Sequence, residues 1–126
     1  MLWRRCVPDG VRRIFLVEDE PVLMLELEGA IADMGWQAVP GRGNIANLLK
    51  SAQEQSFDAA VLDVNLGTER SDAIADALAA RGIPFVYASG YGRDVIPEQH
   101  RDRPLVGKPY LLGQLRDALL FVMAKL

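Results

Sequence analysis

The run Ala59-Ala60-Val61-Leu62 is apolar at every position and stops at a single carboxylate, Asp63, before Val64-Asn65-Leu66-Gly67 breaks the pattern. A short, continuous apolar run bounded by a turn reads as a buried strand. Such a strand delivers Asp63 to its own carboxyl end, a rigid support for a carboxylate nucleophile. Taken alone, an Asp in that position is an ordinary turn residue. Its meaning depends on what the rest of the chain brings to the same edge.

Similar runs recur along the chain. Arg13 to Val17 is a short strand that ends at Glu18-Asp19-Glu20, and Pro21 suits the first position of a following helix. Val22, Leu25, Leu27, Ile31 and Met34 carry helical spacing up to Gly35. Trp36 to Val39 is a second strand. A helix is predicted over Gly43 to Gln55, with Ile45, Leu48, Leu49 and Ala52 as its stripe. Asp58 to Asp63 is the third strand, and Ser71 to Arg81 the third helix, with Ile74, Ala75 and Leu78 inward. Pro84 to Ala88 is the fourth strand and runs into Ser89-Gly90. Tyr91 to Arg103 has little helix signal. Pro104 to Val106 is a minimal fifth strand before Gly107-Lys108-Pro109, and a last helix is predicted from Leu111 to Leu126. Strands alternating with helices argue a parallel sheet with helices on both faces. Sites in such sheets form at the carboxyl ends of the strands, beside the switch in strand order.

A chain of 126 residues with 50% hydrophobic and 25% charged residues suits one globular domain. The net charge of -3 leaves no basic footprint, so no nucleic-acid partner is expected. The lone Cys6 offers neither an intramolecular disulfide nor a zinc cluster. No stretch reaches membrane-spanning length, and the two arginines near the start have no apolar core behind them. The expectation is a cytoplasmic protein without a membrane partner, with residues 1–10 as a loose tail and 11–126 as the domain.

The polar residues that close the strands carry the functional argument. Glu18-Asp19, Asp63, Ser89 and Lys108 end the first, third, fourth and fifth strands, which places three carboxylates, a hydroxyl and an ammonium on one edge. Clustered carboxylates repel unless a cation neutralises them. Magnesium suits them, because it prefers oxygen ligands and takes one or two carboxylates plus a phosphate. An ionised Asp63 can attack phosphorus to give an acyl phosphate, with Lys108 and the metal clamping the phosphoryl group and Ser89 donating to it.

This constellation resembles the receiver domain of bacterial two-component response regulators, from about Arg13 to Leu126. The resemblance implies a flavodoxin-like, doubly wound sheet of five parallel strands in the order 2-1-3-4-5, its fourth helix short or irregular. It implies a phospho-acceptor rather than a conventional enzyme, which catalyses its own phosphorylation and slow dephosphorylation. Asp63 is the implied acceptor, Ser89 the switch hydroxyl and Lys108 the phosphoryl clamp, ahead of a Pro109 bond prone to the cis form. Asp19, Asp63 and the backbone carbonyl of Asn65 would bind Mg2+ or Mn2+, with Glu18 acting mostly through a metal-bound water. Pro84 to Gly92, with Tyr87-Ala88-Ser89-Gly90-Tyr91, is similar to the stand-alone "FAT GUY" receivers, with Tyr87 in place of the Phe and Ser89 in place of the Thr. Their partners are histidine kinases of the HWE and related classes, or phosphotransfer proteins.

Departures from that pattern matter for output. Leu105 stands where many receivers carry a swinging aromatic, so aromatic gating is not carried over to this chain as an expectation. The Ser89 to Lys108 interval is short, so a fourth-helix surface should be reduced or mobile. Gly67 replaces a frequent Pro and should loosen the loop after the acceptor. Asn65 and Tyr91 hold the two positions that tune phosphate lifetime in the family. Other readings are a pseudo-receiver that serves only as an interaction module, or a small haloacid-dehalogenase-like phosphatase. The latter wants an Asp where Asn65 stands. Gly41-Arg42-Gly43-Asn44-Ile45-Ala46 matches a dinucleotide fingerprint but follows the second strand, and a helix-start turn is expected there. His100, the only histidine, lies in a Pro-flanked loop, which argues against a phosphotransfer role. Leu111, Leu120, Phe121 and Met123 spread apolar surface around the last helix, a candidate for self-association.

Overall fold

The computed structural model describes residues 11–124. The expected loose segment 1–10, and Leu126 on the last helix, lie outside the described residues.

The chain runs β1 (Arg13–Val17), α1 (Pro21–Asp33), β2 (Gln37–Pro40), α2 (Ile45–Glu54) and β3 (Ala59–Asp63). It continues through β4 (Asn65–Leu66), β5 (Glu69–Arg70), α3 (Asp72–Ala80), β6 (Phe85–Ser89), β7 (Leu105–Gly107) and α4 (Leu112–Met123). The main sheet has the order β2-β1-β3-β6-β7, and every pairing in it is parallel. Counting only these five strands, this is the expected 2-1-3-4-5 order. The switch point falls between β1 and β3, whose registers bring Val17 beside Leu62 and Asp63 beside Ala88.

Successive strand residues point to opposite faces, and both faces are covered. Ile14, Leu16, Val61, Val86 and Val106 pack with Leu27 and Ile31 of α1 and with Leu115, Leu119 and Val122 of α4. Phe15, Val17, Leu62, Phe85 and Tyr87 pack on the other face with Leu48 and Ala52 of α2 and with Ile74, Ala75 and Leu78 of α3. Asn44 caps α2 through a reciprocal bond with Asn47, so the glycine-rich stretch before it is a helix start. Pro40 is tolerated because β2 is an edge strand.

Three expectations need correction. Met24, Leu27 and Ile31 form the buried stripe of α1, whereas Val22 and Leu25 are 63% and 68% exposed. Spacing of three and four residues from Met24 selects that face, and Val22 and Leu25 sit on the outward flank. On α4, Met123, expected on the surplus apolar surface, is buried in the core. Gly67, expected to loosen its loop, instead closes a hairpin. Its φ of +66° occupies the first turn position between antiparallel β4 and β5, while Thr68 keeps a negative φ, a geometry that glycine adopts without strain. Ser71, fully buried, donates backbone N–H and hydroxyl bonds to the Val64 carbonyl and ties the hairpin base.

Between β6 and β7 the fourth helix is replaced by two 3-10 turns, Arg93–Val95 and Glu98–His100. The segment is reduced, as expected, and it is pinned. Ile96 and His100 are buried, and His100 stacks edge-on against Phe85 with Nε2 2.7 Å from Asp76 Oδ1. Arg93 donates to the carbonyls of Arg101 and Arg103, and Arg101 donates to that of Ile96. These side chains satisfy backbone acceptors that a helix would have paired internally.

Candidate functional site

β1 and β3 end side by side, so Glu18-Asp19 and Asp63 meet at the carboxyl edge of the sheet. One oxygen from each of Glu18, Asp19 and Asp63 lies within 4.8 Å of the others. Glu18 and Asp63 are buried and Asp19 faces outward. β7 hands the chain to Lys108, followed by a cis Lys108–Pro109 bond. The Lys108 ammonium donates to Asp63 Oδ2 at 2.7 Å and lies 2.8 Å from Glu18 Oε1. Asn65 N–H donates to the other Asp63 oxygen at 3.3 Å.

Ser89 ends β6 one residue past Ala88, the neighbour of Asp63, and is 3% exposed. Its hydroxyl accepts from Tyr91 N–H at 2.9 Å. Glu18, Asp19, Asp63 and Lys108 thus come together at one edge, and Ser89 ends the strand next to that of Asp63. Tyr110 and Arg70 were missed. The Tyr110 hydroxyl donates to Glu18 Oε1 at 2.8 Å. Arg70 donates from Nε to Asp72 Oδ2 at 3.0 Å and from a terminal nitrogen to the Val95 carbonyl at 2.7 Å. Neither follows a period or motif: Tyr110 is placed by the turn after Pro109, and Arg70 by a hairpin only two residues long per strand.

The electrostatics are those of a crowded acidic pocket. Burial pushes the Asp63 carboxyl up to about 6; the hydrogen bond from Lys108 opposes this and the Glu18 charge reinforces it. Glu18 is also penalised by burial, but bonds from Lys108, Tyr110 and the Glu20 backbone outweigh that and hold it below the usual carboxylate range. Burial works against the Lys108 charge, yet bonds to Asp63 and Glu18 raise it overall. Burial and the Glu18 charge push the Tyr110 phenol far up, so it stays a donor.

One ammonium faces three carboxylates. The uncompensated charge, the all-oxygen donor set and the outward Asp19 fit a hard divalent cation. A cavity of about 270 Å³ lies at the opposite end of the sheet among Ile83, Pro84, Pro104 and Phe121, away from these groups. Among the described residues, no helix is long and apolar enough to cross a membrane.

No protein-family model matches the chain. It is similar to SdrG from Sphingomonas melonis Fr1, whose solution structure is 36% identical and superposes with a TM-score of 0.80 over 93% of this chain and 99% of that one. The BeF3-activated conformation of SdrG matches at 37% identity and a TM-score of 0.74, over 92% of this chain and 99% of that one. The phyllosphere-induced regulator PhyR of Methylorubrum extorquens is 25% identical over 111 residues, and the chain spans 42% of its length. A fold likeness at 19% identity and a TM-score of 0.72 extends to the receiver domain of sensor histidine kinase PA1611 from Pseudomonas aeruginosa PAO1, over 91% of this chain and 99% of that one, solved with magnesium in its active-site cleft. With near-complete mutual coverage of SdrG and a matching sheet order, the chain belongs to the receiver-domain family of bacterial response regulators.

Proposed function

We propose that residues 11–126 form a phospho-acceptor domain of a two-component phosphorelay, in which Asp63 takes a phosphoryl group from a histidine kinase and thereby changes protein contacts. The observation that carries this reading is the Lys108 ammonium bridging Asp63 and Glu18 beside a third carboxylate, Asp19, at the strand ends. An ionised Asp63 oxygen forms the new bond to phosphorus as the phosphorus–nitrogen bond of a phosphohistidine breaks, and the leaving imidazole keeps the electron pair. Lys108 stays beside the acceptor and offsets the incoming charge. Ser89 donates its hydroxyl proton to a phosphoryl oxygen.

Glu18, Asp19, Asp63 and the backbone carbonyl of Asn65 would hold Mg2+ or Mn2+. When bound there, the cation would supply charge compensation for the carboxylates and for the phosphoryl group being transferred. The magnesium recorded in the PA1611 receiver and the BeF3-activated form of SdrG support both parts of the reading. By the family resemblance, Asn65 and Tyr91 tune phosphate lifetime. The kinase is of the HWE or a related class, or a phosphotransfer protein takes its place, in a cytoplasmic setting. Exposed Leu120 on α4 offers a surface for self-association.

Phosphotransfer tests the proposal. A radiolabelled, autophosphorylated HWE-class kinase mixed with the chain and Mg2+ should lose label to wild type and keep it with Asp63→Asn. Transfer to both proteins alike, or to neither, contradicts it.

A further inference from the structure

A continuous path leads from the acceptor to the segment between β6 and β7. Asp63 accepts from Asn65 N–H. Asn65 is the register partner of Arg70 in the β4–β5 hairpin. Arg70 reaches across to the Val95 carbonyl, its guanidinium held flat by the Asp72 carboxylate. Val95 closes the first of the two 3-10 turns, next to buried Ile96. A second path leaves the same site through Ser89, whose hydroxyl accepts from Tyr91 N–H.

We propose that Arg70 is a positioning residue that couples the state of Asp63 to the 91–103 segment, so that this segment, rather than a swinging aromatic on β7, reads out phosphorylation. The proposal rests on Asp63 being the phospho-acceptor. Phosphorylation turns one Asp63 oxygen into the bridging oxygen of an acyl phosphate and adds charged oxygens near Asn65 N–H, which changes the acceptor that this N–H meets. Hairpin strands of two residues are too short to absorb a shift at Asn65, and the planar guanidinium fork transmits it as a change of direction rather than of length. At the far end, Arg93, Arg101 and the His100–Asp76 contact tie the segment together and to α3, so a change at Val95 is felt along it as far as His100. Leu105, on β7, carries no ring that could swing towards Ser89.

Amide chemical shifts of the full chain, measured with magnesium before and after adding beryllium fluoride as an acyl-phosphate mimic, test the coupling. Wild type should respond at Asn65 and Leu66 and again from Val95 to His100. Arg70→Met, which keeps the aliphatic stem, and Arg70→Ala should respond at Asn65 as wild type does, while the response from Val95 to His100 falls by about threefold or more. A merely structural Arg70 would shift resting positions without changing that difference. Undiminished segment responses in Arg70→Met overturn the proposal, as does a wild type that responds at Asn65 alone. A wild type that responds nowhere overturns the acceptor reading and this proposal with it.

Discussion

The Lys108 ammonium sits 2.7 Å from Asp63 Oδ2, yet the Asp63 carboxyl is pushed up to about 6. Burial and Glu18 together outweigh the only cation within hydrogen-bonding distance among the described residues. Between pH 4 and 6 the folded chain therefore holds a proton that the unfolded chain has released. Stability falls as pH rises through that window, and above it the full penalty applies.

Asp63→Asn removes this penalty. Raising a carboxyl from 3.8 to about 6 costs about 3 kcal/mol once it is ionised. Without metal, the substitution should stabilise the fold by about 1–3 kcal/mol at pH 7.5 and leave it nearly unchanged at pH 4. Urea denaturation at the two pH values checks this. A gain independent of pH contradicts it.

Metal binding must displace the same proton. Apparent Mg2+ affinity, measured by calorimetry, should weaken about tenfold for each pH unit below 6 and level off above 7. An affinity flat from pH 5 to 7.5 would contradict a metal held by a carboxyl that titrates near 6.

Tyr110 supports Glu18 from below the site. Tyr110→Phe leaves a buried carboxylate oxygen with one donor fewer, and should cost about 1–2 kcal/mol in chemical denaturation at pH 7.5. The same change should raise the Glu18 carboxyl, so the loss should shrink towards pH 4. Unchanged stability at neutral pH would show that the phenol bond contributes nothing.

Much of this architecture was legible because buried parallel strands are written as apolar runs with polar ends. Ala59 to Asp63 and Phe85 to Ser89 are buried at every position, and the polar residues at their ends converge as the alternation of elements requires. What was not legible came from weaker signals. Val22 and Leu25 fit a helical period as well as Met24 does, and only the docking angle of α1 chooses between them. Gly67 read as a loosening substitution because a hairpin of two-residue strands leaves no periodic pattern. Arg70 and Tyr110 act through contacts across the fold, to Val95 and to Glu18, which no local spacing encodes.

The corrected register of α1 has its own consequence. Leu25→Ser, on the exposed flank, should change stability by no more than about 0.5 kcal/mol. Leu27→Ala, fully buried, should cost about 2–5 kcal/mol. Thermal melts of the two variants decide between the registers, and equal losses would contradict the one described.

The central claim is that Asp63 accepts a phosphoryl group, and labelling with a small phosphodonor tests it most directly. Incubated with Mg2+ and labelled acetyl phosphate, the chain should acquire a phosphate that survives acid and is lost in base, as an acyl phosphate is. Asp63→Asn should acquire none, and chelating the metal should abolish the labelling of wild type. A wild type that stays unlabelled with every donor and kinase, or a label that persists in Asp63→Asn, would contradict the account.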